Sequence, residues 1–277
     1  MKSELWSDEA QCFAKECPTC GRVGCCAQDH VATVHPRGGR SGRGGLSMRR
    51  PRFIAEHARN ARGLLGRVIA FIMARETRSQ NLRAMDALGI DRSDQILDLG
   101  CGHGRSLTEL AARAATGRVV GVDPSELMVE IAAQRNRALI EAARVDVVLA
   151  TVESLPFSDD AFDKVICVHV LYFWKDLDGS LREIARVLKP GGRLGLLFRT
   201  KADLAAVASF PPEIYRFPAL ADVTAALERV GLDVHAGTDC ANEPVLLLAE
   251  KRPPRTASEV SHAPDQADAI PARRAIT

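Results

Sequence analysis

The sequence from residue 96 to residue 104 reads Ile96-Leu97-Asp98-Leu99-Gly100-Cys101-Gly102-His103-Gly104. Residues 95–99 are mostly apolar and bounded by turn residues, which is typical of a parallel strand covered on both faces. The three glycines remove every other Cβ where the chain must bend, so that a ligand can approach the backbone closely. A helix expected over residues 106–115 directs its free N–H groups toward that ligand. The stretch therefore predicts a strand, a ligand-binding loop and a helix.

The spacing of the glycines separates this loop from the dinucleotide-binding fingerprint. That fingerprint is Gly-x-Gly-x-x-Gly, and its last glycine lets the helix pack closely on the strand. Here the spacing is Gly-x-Gly-x-Gly, and Arg105 occupies the place of that last glycine. This spacing, after an Asp-Leu-Gly strand end, resembles motif I of the class I S-adenosylmethionine-dependent methyltransferases.

A second strand is predicted over residues 118–123, and it ends on the acid Asp123. Pro124 suits the first position of a helix, predicted over residues 126–143, and Asp123 on its own could serve as the N-cap of that helix. A carboxylate about 20 residues past the glycine loop, at the tip of the adjacent strand, is also where a nucleoside ribose is held. We therefore expect Asp123 to accept hydrogen bonds from both ribose hydroxyls of the cofactor.

The chain from residue 150 to residue 165 resembles the same family a second time. It contains Leu-Pro-Phe at 155–157 and a Phe-Asp strand start at 162–163. In the family, the acid of a turn before Leu-Pro-Phe binds the adenine amino group, and the next backbone N–H meets the ring. Thr151 occupies the place of that acid, and its neutral hydroxyl is a weaker acceptor. Val152 can serve through its backbone whatever its side chain.

A fourth predicted strand over residues 163–168 runs into His169-Val170-Leu171-Tyr172-Phe173-Trp174. Ligands of open α/β sheets lie outside the carboxyl ends of the strands, so these residues should face the transferred methyl group. His169 is a candidate general base and Tyr172 a candidate for orienting the substrate. The alternative is a packed histidine and an aromatic loop that closes the pocket, since methyl transfer often needs positioning more than a base.

The resemblance covers about residues 90–250, including a Leu-Lys-Pro-Gly-Gly turn at 188–192 that is common in the family. It implies a cofactor-binding domain over 91–251, built as a Rossmann-like, doubly wound, seven-stranded and mostly parallel sheet with one antiparallel edge strand. It also implies in-line methyl transfer from S-adenosylmethionine to an oxygen, nitrogen or carbon of a small molecule, similar to ubiquinone/menaquinone-biosynthesis methyltransferases. The cofactor-binding residues that it implies are Asp98, Gly100, Cys101, Gly102, Asp123, Pro124, Thr151, Val152 and Val168.

Residues 1–52 differ in composition from the rest of the chain. They hold five of the eight cysteines and a run over 36–45 that is too rich in glycine and charge to pack. We expect a disordered tail, of which residues 1–47 could be an extension upstream of a start at Met48. The alternative is a small zinc site, and its candidate ligands are Cys17, Cys20, Cys25 or Cys26, and His30 or His35. No other metal site is predicted.

Residues 53–90 are predicted to form an amphipathic helical cover over the substrate side of the domain. Apolar residues recur at helical spacing from Leu64 to Met73, and arginines lie between and beyond them. An alternative is a helix at a membrane surface, so peripheral membrane contact through residues 53–88 stays open. The basic helix and the aromatic pocket lip slightly favour a carbon or lipid-like acceptor.

Composition narrows the class of protein. The chain has 277 residues, 46% hydrophobic and 26% charged, with a net charge of +2. We expect a cytoplasmic enzyme, monomeric or homodimeric, without a transmembrane segment and with a polar, disordered tail over 252–277. No nucleic-acid partner is expected, because the core shows no basic stripe with interleaved aromatics. The alternative functions are a catalytically silent binding or sensing module and a nicotinamide-dependent oxidoreductase.

Overall fold

The structure is a computed structural model, and it describes residues 50–63, 66, 77–237 and 243–253. The cysteine-rich segment with its candidate zinc ligands lies outside these residues. The apolar positions from Leu64 to Met73 and the chain beyond residue 253 also lie outside them.

A seven-stranded sheet forms the centre of the molecule, in the order β3-β2-β1-β4-β5-β7-β6. Strands β1 to β5 run parallel to one another, while β7 runs antiparallel to both β5 and β6 near one edge. The predicted seven-stranded, mostly parallel sheet is therefore confirmed. The strands are β1 Gln95–Leu99, β2 Arg118–Asp123, β3 Val145–Leu149, β4 Phe162–Val168, β5 Leu188–Phe198, β6 Leu232–Ala236 and β7 Val245–Lys251.

Helices cover both faces of the sheet, because alternate strand residues point to opposite sides. On β1, Ile96 packs in one apolar cluster with Leu88 and Leu107, while Leu97 packs in the other with Leu181. The helices in the described part of the chain are α1 Arg52–Arg59, α2 Arg78–Leu88, α3 Arg105–Arg113, α4 Glu126–Arg135, α5 Arg137–Glu141, α6 Leu177–Val187, α7 Leu204–Ser209 and α8 Leu220–Arg229, with a 3-10 turn at Leu171–Phe173.

Two predicted helices are wrong as single elements. The cover expected over 53–88 is interrupted, because α1 ends at Arg59 and the next residue, Asn60, is extended. The helix expected over 126–143 divides at Asn136, which ends α4 and precedes α5. Asn136 is 1% exposed, and its side chain forms hydrogen bonds with neighbouring elements. Helical periodicity does not reveal such contacts.

The Lys-Pro-Gly-Gly turn lies inside β5 rather than before it. Strand β5 begins at Leu188, which pairs with Phe162 of β4. The register shifts before the next pair, in which Lys164 lies opposite Arg193. The two glycines thus form an irregularity in a strand that starts earlier than predicted. Helix α6 ends at Val187, close to the predicted position.

Candidate functional site

A cavity of about 970 Å³ lies at the carboxyl ends of β1, β2 and β4, and parts of α1, α2 and α7 also line it. This is the position at which open α/β sheets bind ligands. The cavity brings together every residue predicted for the site. These residues are Asp98, Gly100, Cys101, Gly102, Asp123, Pro124, Thr151, Val152, Val168, His169 and Tyr172.

The glycine loop leaves space for a ligand at its centre. Gly102 has a φ of +53°, in the left-handed region, and a Cβ built on it would meet no atom within 4 Å. Its backbone therefore borders the open cavity, and a side chain there would project into that space. The loop residue Cys101 is 6% exposed, and burial raises the pKa of its thiol.

Asn136 fixes the other end of the same loop. Its amide nitrogen donates to the carbonyl oxygen of Gly104 at 2.8 Å, and its amide oxygen accepts from the Thr108 hydroxyl at 2.8 Å. A Cβ on Gly104 would lie 2.7 Å from this amide nitrogen and from the Ala132 Cβ, so α4 packs directly on the loop backbone. Sequence reasoning missed Asn136, because its partners lie 28 and 32 residues away.

Replacing Asn136 with leucine is expected to destabilise the protein by about 2 to 4 kcal/mol, because it leaves a buried carbonyl and a hydroxyl without their partner. Chemical denaturation measures this loss in the free energy of unfolding. Gln134→Leu is the matched control, since Gln134 is exposed on the neighbouring turn of α4. Equal stability of the two variants would contradict a structural role for the Asn136 amide.

Asp123 connects the loop to the end of β2. One carboxylate oxygen accepts from the backbone N–H of Gly102 at 2.9 Å, and the other accepts from that of Ser125 at 2.9 Å. The N-cap of α4 is Ser125, whose hydroxyl accepts from the backbone N–H of Met128. The alternative of Asp123 as N-cap is therefore wrong. Pro124 lies before the cap and not at the first helical position.

A second carboxyl group lies beneath the loop. Asp98 is 3% exposed and accepts a short hydrogen bond of 2.5 Å from the Ser106 hydroxyl at the start of α3. Burial and, to a smaller extent, the nearby charge of Asp123 raise the pKa of Asp98 to about 7, against the lowering effect of the Ser106 hydrogen bond. Burial also raises the pKa of Asp123. The two acids make this end of the cavity suited to a ligand with positive charge.

The turn after β3 borders the same end of the cavity. Val152 is 8% exposed there, and Thr151 forms an isolated bridge with Ser154. The Thr151 residue is exposed, and both Thr151 and Val152 line the cavity. The segment thus presents a backbone edge where the sequence predicts the adenine.

His169 and Tyr172 form part of a hydrogen-bonded chain that joins three elements. The His169 Nδ1 lies 2.8 Å from the Tyr172 hydroxyl, and its Nε2 lies 2.5 Å from Oε1 of Gln80 on α2. The Tyr172 hydroxyl also accepts from the backbone N–H of Arg199 at 2.7 Å. Because Oε1 can only accept, Nε2 carries the proton and Nδ1 accepts from Tyr172.

The environment of this chain keeps the imidazole neutral. Burial and, to a smaller extent, the positive charge of Arg199 together lower the pKa of His169 to about 4. Burial also raises the pKa of the Tyr172 phenol. His169 has a φ of +59°, an uncommon conformation for a residue with a side chain. Sequence reasoning missed Gln80, which lies 89 residues from His169 in the chain.

Aromatic side chains form a wall of the cavity beyond the histidine. Tyr172 lies 5.0 Å from Phe217, and Tyr215 lies 4.9 Å from Phe173 and 4.5 Å from Phe210, measured between ring centroids. We call these five residues the aromatic wall. Three of them, Phe210, Tyr215 and Phe217, follow α7 in a segment whose apolar residues show no periodic spacing. The sequence therefore marks that segment only as an insertion.

Neither a metal site nor a membrane span is found in the described ranges. Within residues 50–63, 66, 77–237 and 243–253, no group of three or more His, Cys, Asp or Glu side chains is arranged to hold a metal ion. None of the helices described in those ranges is long and apolar enough to cross a membrane.

The fold and the site define a class of protein. A mostly parallel sheet with a glycine loop after β1 and a carboxylate at the end of β2 is a Rossmann-like nucleoside-binding fold. Gly102 opens onto the cavity, and two buried acids lie beside it. These residues fit a cofactor that combines a nucleoside with positive charge, as S-adenosylmethionine does.

Comparisons with known proteins identify the family. A methyltransferase domain family matches residues 97–196. The uncharacterized methyltransferase YdaC of Bacillus subtilis is 31% identical over 134 residues, which cover 48% of this chain and 72% of YdaC. The ubiquinone/menaquinone biosynthesis C-methyltransferase UbiE of Geotalea daltonii is 34% identical over 134 residues, and the match covers 48% of this chain and 56% of UbiE.

Solved structures agree on the fold. The geranyl diphosphate C-methyltransferase from Streptomyces coelicolor, in complex with Mg²⁺, geranyl diphosphate and S-adenosyl-L-homocysteine, has a TM-score of 0.53 at 20% identity. The match covers 62% of this chain and 77% of that protein.

The chain belongs to the class I S-adenosylmethionine-dependent methyltransferases, in a family of small-molecule methyltransferases, and its cofactor is S-adenosylmethionine. This membership excludes the nicotinamide-dependent oxidoreductase as an interpretation. It also supports an enzyme over a catalytically silent module.

Proposed function

We propose that the protein methylates a small molecule with an apolar or aromatic, lipid-like body. The observation that carries this proposal is the aromatic wall, which lines the same cavity as the glycine loop. Flat or isoprenoid groups pack well against such rings. The names of two similar proteins, a quinone C-methyltransferase and a geranyl diphosphate C-methyltransferase, are consistent with such an acceptor.

In this proposal the glycine-loop end of the cavity holds the cofactor. Asp123 accepts from the ribose hydroxyls, and Asp98 lies toward the positively charged end of the cofactor. Val152 meets the adenine through its backbone, with Thr151 beside it. When bound, S-adenosylmethionine supplies an electrophilic methyl group on a sulfonium. The proposed contact residues are the nine predicted ones: Asp98, Gly100, Cys101, Gly102, Asp123, Pro124, Thr151, Val152 and Val168.

His169 and Tyr172 position the acceptor in this proposal. Both ring nitrogens of His169 take part in hydrogen bonds, and the low pKa of the imidazole makes it a weak base at neutral pH. The predicted role of His169 as a general base is therefore less well supported than the alternative of a packed histidine. The hydrogen bonds that connect Gln80, His169, Tyr172 and Arg199 hold the Tyr172 ring in the aromatic wall. They also hold α2 over the end of β4. Alignment of this kind accounts for much of the rate of methyl transfer.

A direct experiment tests the function. Methyl transfer from radiolabelled S-adenosylmethionine is measured with menadiol, geranyl diphosphate, 2-naphthol and glycine as acceptors. We expect transfer to at least one of the apolar acceptors and none to glycine. Transfer to glycine alone would overturn the proposed acceptor class.

Replacing Gln80 with leucine is expected to lower kcat by about tenfold, the size of one lost hydrogen bond, while the Kd of S-adenosylhomocysteine stays unchanged. The reason is that His169 loses the acceptor of its Nε2–H, so Tyr172 is held less firmly. Steady-state kinetics and calorimetry separate the two quantities. Gln80→Glu, which keeps an acceptor, should restore most of the rate, and the exposed Gln134→Leu is the control. A rate unchanged in Gln80→Leu would contradict the positioning role.

Several predictions made from the sequence stay predictions. They are the boundaries of the domains, a monomeric or homodimeric state, the cytoplasmic location and peripheral membrane contact.

Exposed apolar side chains on α1 and α7, among them Phe53 at 49% and Leu204 at 73%, support contact with a lipid surface. Sedimentation with liposomes measures that contact.

A further inference from the structure

The acidic and the basic side chains that line the cavity lie in two different parts of it. The carboxylates are Asp98, Asp123 and Glu153, and all of them lie at the ends of β1, β2 and β3. We call this part, where the cofactor is proposed to bind, the cofactor half. The acceptor half consists of the lining residues within 50–61 and 77–81, those of the segment after β4 and those within 199–217. Its charged lining residues in the described part of the chain are basic: Arg50, Arg59, Lys175 and Arg199, with His57 beside them.

Arg199 lies at one end of the aromatic wall and is held in place. Its guanidinium forms an ion pair with Asp203, which is 1% exposed and also accepts from the backbone N–H of Ala206 at the start of α7. The backbone N–H of Arg199 donates to the Tyr172 hydroxyl at 2.7 Å, and Arg199 lines the same cavity as the rings of His169 and Tyr172. A cation fixed by a buried partner loses little entropy when it binds an anion.

Arg50 lies at the other end of the same wall. The centre of its guanidinium is 4.8 Å from the centroid of the Phe210 ring, a cation–π contact. The backbone N–H of Arg50 donates to the carbonyl oxygen of Ser209 at 2.7 Å, which joins the start of α1 to the end of α7. Two arginines thus flank a row of aromatic rings.

The acceptor half suits an acceptor that has already lost its proton. Its lining residues in the described ranges include no carboxylate, and both nitrogens of His169 are engaged. A protonated amine would meet like charges there, whereas an oxyanion would be stabilised by the arginines. The positive field also favours ionisation of an acidic acceptor in place.

We propose that the acceptor binds as an anion, an aromatic or apolar molecule whose carboxylate, phenolate or enolate lies between the aromatic wall and Arg199 or Arg50. This inference rests on the proposed function and narrows its substrate class. The anion's oxygen, or a carbon conjugated to it, forms the new bond to the methyl carbon as the carbon–sulfur bond breaks. The electron pair of that bond stays on sulfur, which becomes a neutral thioether, and the acceptor's proton has already gone to solvent.

The test compares two fluorescent probes of the same aromatic scaffold, 1-anilinonaphthalene-8-sulfonate and N-phenyl-1-naphthylamine, of which only the first carries a negative charge. Both are titrated into the full-length protein saturated with S-adenosylhomocysteine, whose own binding is measured by calorimetry in the same samples. We expect the sulfonate to bind about tenfold more tightly or better, the size of one charge-assisted hydrogen bond. We also expect the difference to shrink between about 0.05 M and 0.5 M salt, where charges are increasingly screened.

Arg199→Met is expected to remove most of the preference for the sulfonate while binding of the neutral probe changes less than about twofold. The control is Arg229→Met, because Arg229 is half-exposed and paired with Asp178 on the surface, away from the cavity lining. Arg50→Met provides a second test, because it leaves Arg199 paired with the buried Asp203. It is the deciding variant if Arg199→Met does not fold.

Equal binding of the two probes by the wild-type protein would overturn the anionic acceptor. So would a preference that survives in both arginine variants. In either case, intact binding of S-adenosylhomocysteine would leave the proposed methyl transfer standing. Absence of S-adenosylhomocysteine binding would instead contradict the proposed function itself.

Discussion

Asp123→Ala is expected to weaken binding of S-adenosylhomocysteine by about 100-fold or more. In the proposed site, the Asp123 carboxylate accepts hydrogen bonds from both ribose hydroxyls, and bonds to a charged group contribute about 1.5 to 3 kcal/mol each. The substitution also removes the acceptor for the backbone N–H of Gly102 at 2.9 Å, so the loop loses its attachment to β2. Isothermal titration calorimetry with wild type and variant measures the difference.

The control for Asp123→Ala separates binding from folding. Asp146→Ala removes a carboxylate of the adjacent strand β3 that pairs with Arg118 at the surface, and we expect it to leave binding unchanged. Asp123→Asn keeps the shape of the side chain but brings an NH2 donor toward one of the two backbone N–H groups of Gly102 and Ser125. It should therefore bind S-adenosylhomocysteine poorly too. Wild-type affinity in Asp123→Ala would refute the assignment of this carboxylate to the ribose.

The central sheet could be predicted from the sequence because its signals are local. Each buried parallel strand is a short apolar run, and the glycine loop and the acid at the end of β2 follow their strands directly. Since the carboxyl ends of parallel strands meet at one edge, the predicted residues from Asp98 to Tyr172 were expected to converge, and all of them line the cavity.

Other parts of the site depend on contacts between distant segments, which leave no local pattern. Gln80 reaches His169 across 89 residues, and the amide of Asn136 reaches Gly104 across 32. Asn136 also divides a helix whose apolar spacing continues through it, so periodicity predicted one helix in place of α4 and α5. Arg199 follows directly after β5, but nothing in its sequence neighbourhood indicates that Asp203 fixes it.

Cofactor binding is expected to be coupled to ionisation of Asp98. Burial raises the pKa of Asp98 to about 7 in the ligand-free protein, whereas a cationic ligand favours the carboxylate and lowers this pKa. The affinity for S-adenosylhomocysteine, which carries an ammonium group, should therefore rise up to about tenfold per pH unit below pH 7 and level off above it. Calorimetry in buffers of different ionisation enthalpy measures the proton that is released on binding. Ser106→Ala removes a hydrogen bond that lowers the pKa of Asp98, so it should move the midpoint to higher pH.

Asp98→Asn should remove this pH dependence and weaken binding, yet stabilise the ligand-free protein at pH 8. Because the folded-state pKa lies above the ordinary value of 3.8, the native state binds more protons than the unfolded state between about pH 4 and pH 7. The contribution of Asp98 to stability is thus present at low pH and falls as the pH rises to about 7, by at most about 4 kcal/mol. Asparagine carries no charge to bury, so its Tm at pH 8 should exceed that of the wild type and the two should converge toward pH 4. A lower Tm for Asp98→Asn at pH 8 would mean that the Asp98 carboxylate stabilises the loop in the absence of the cofactor, contrary to the burial argument.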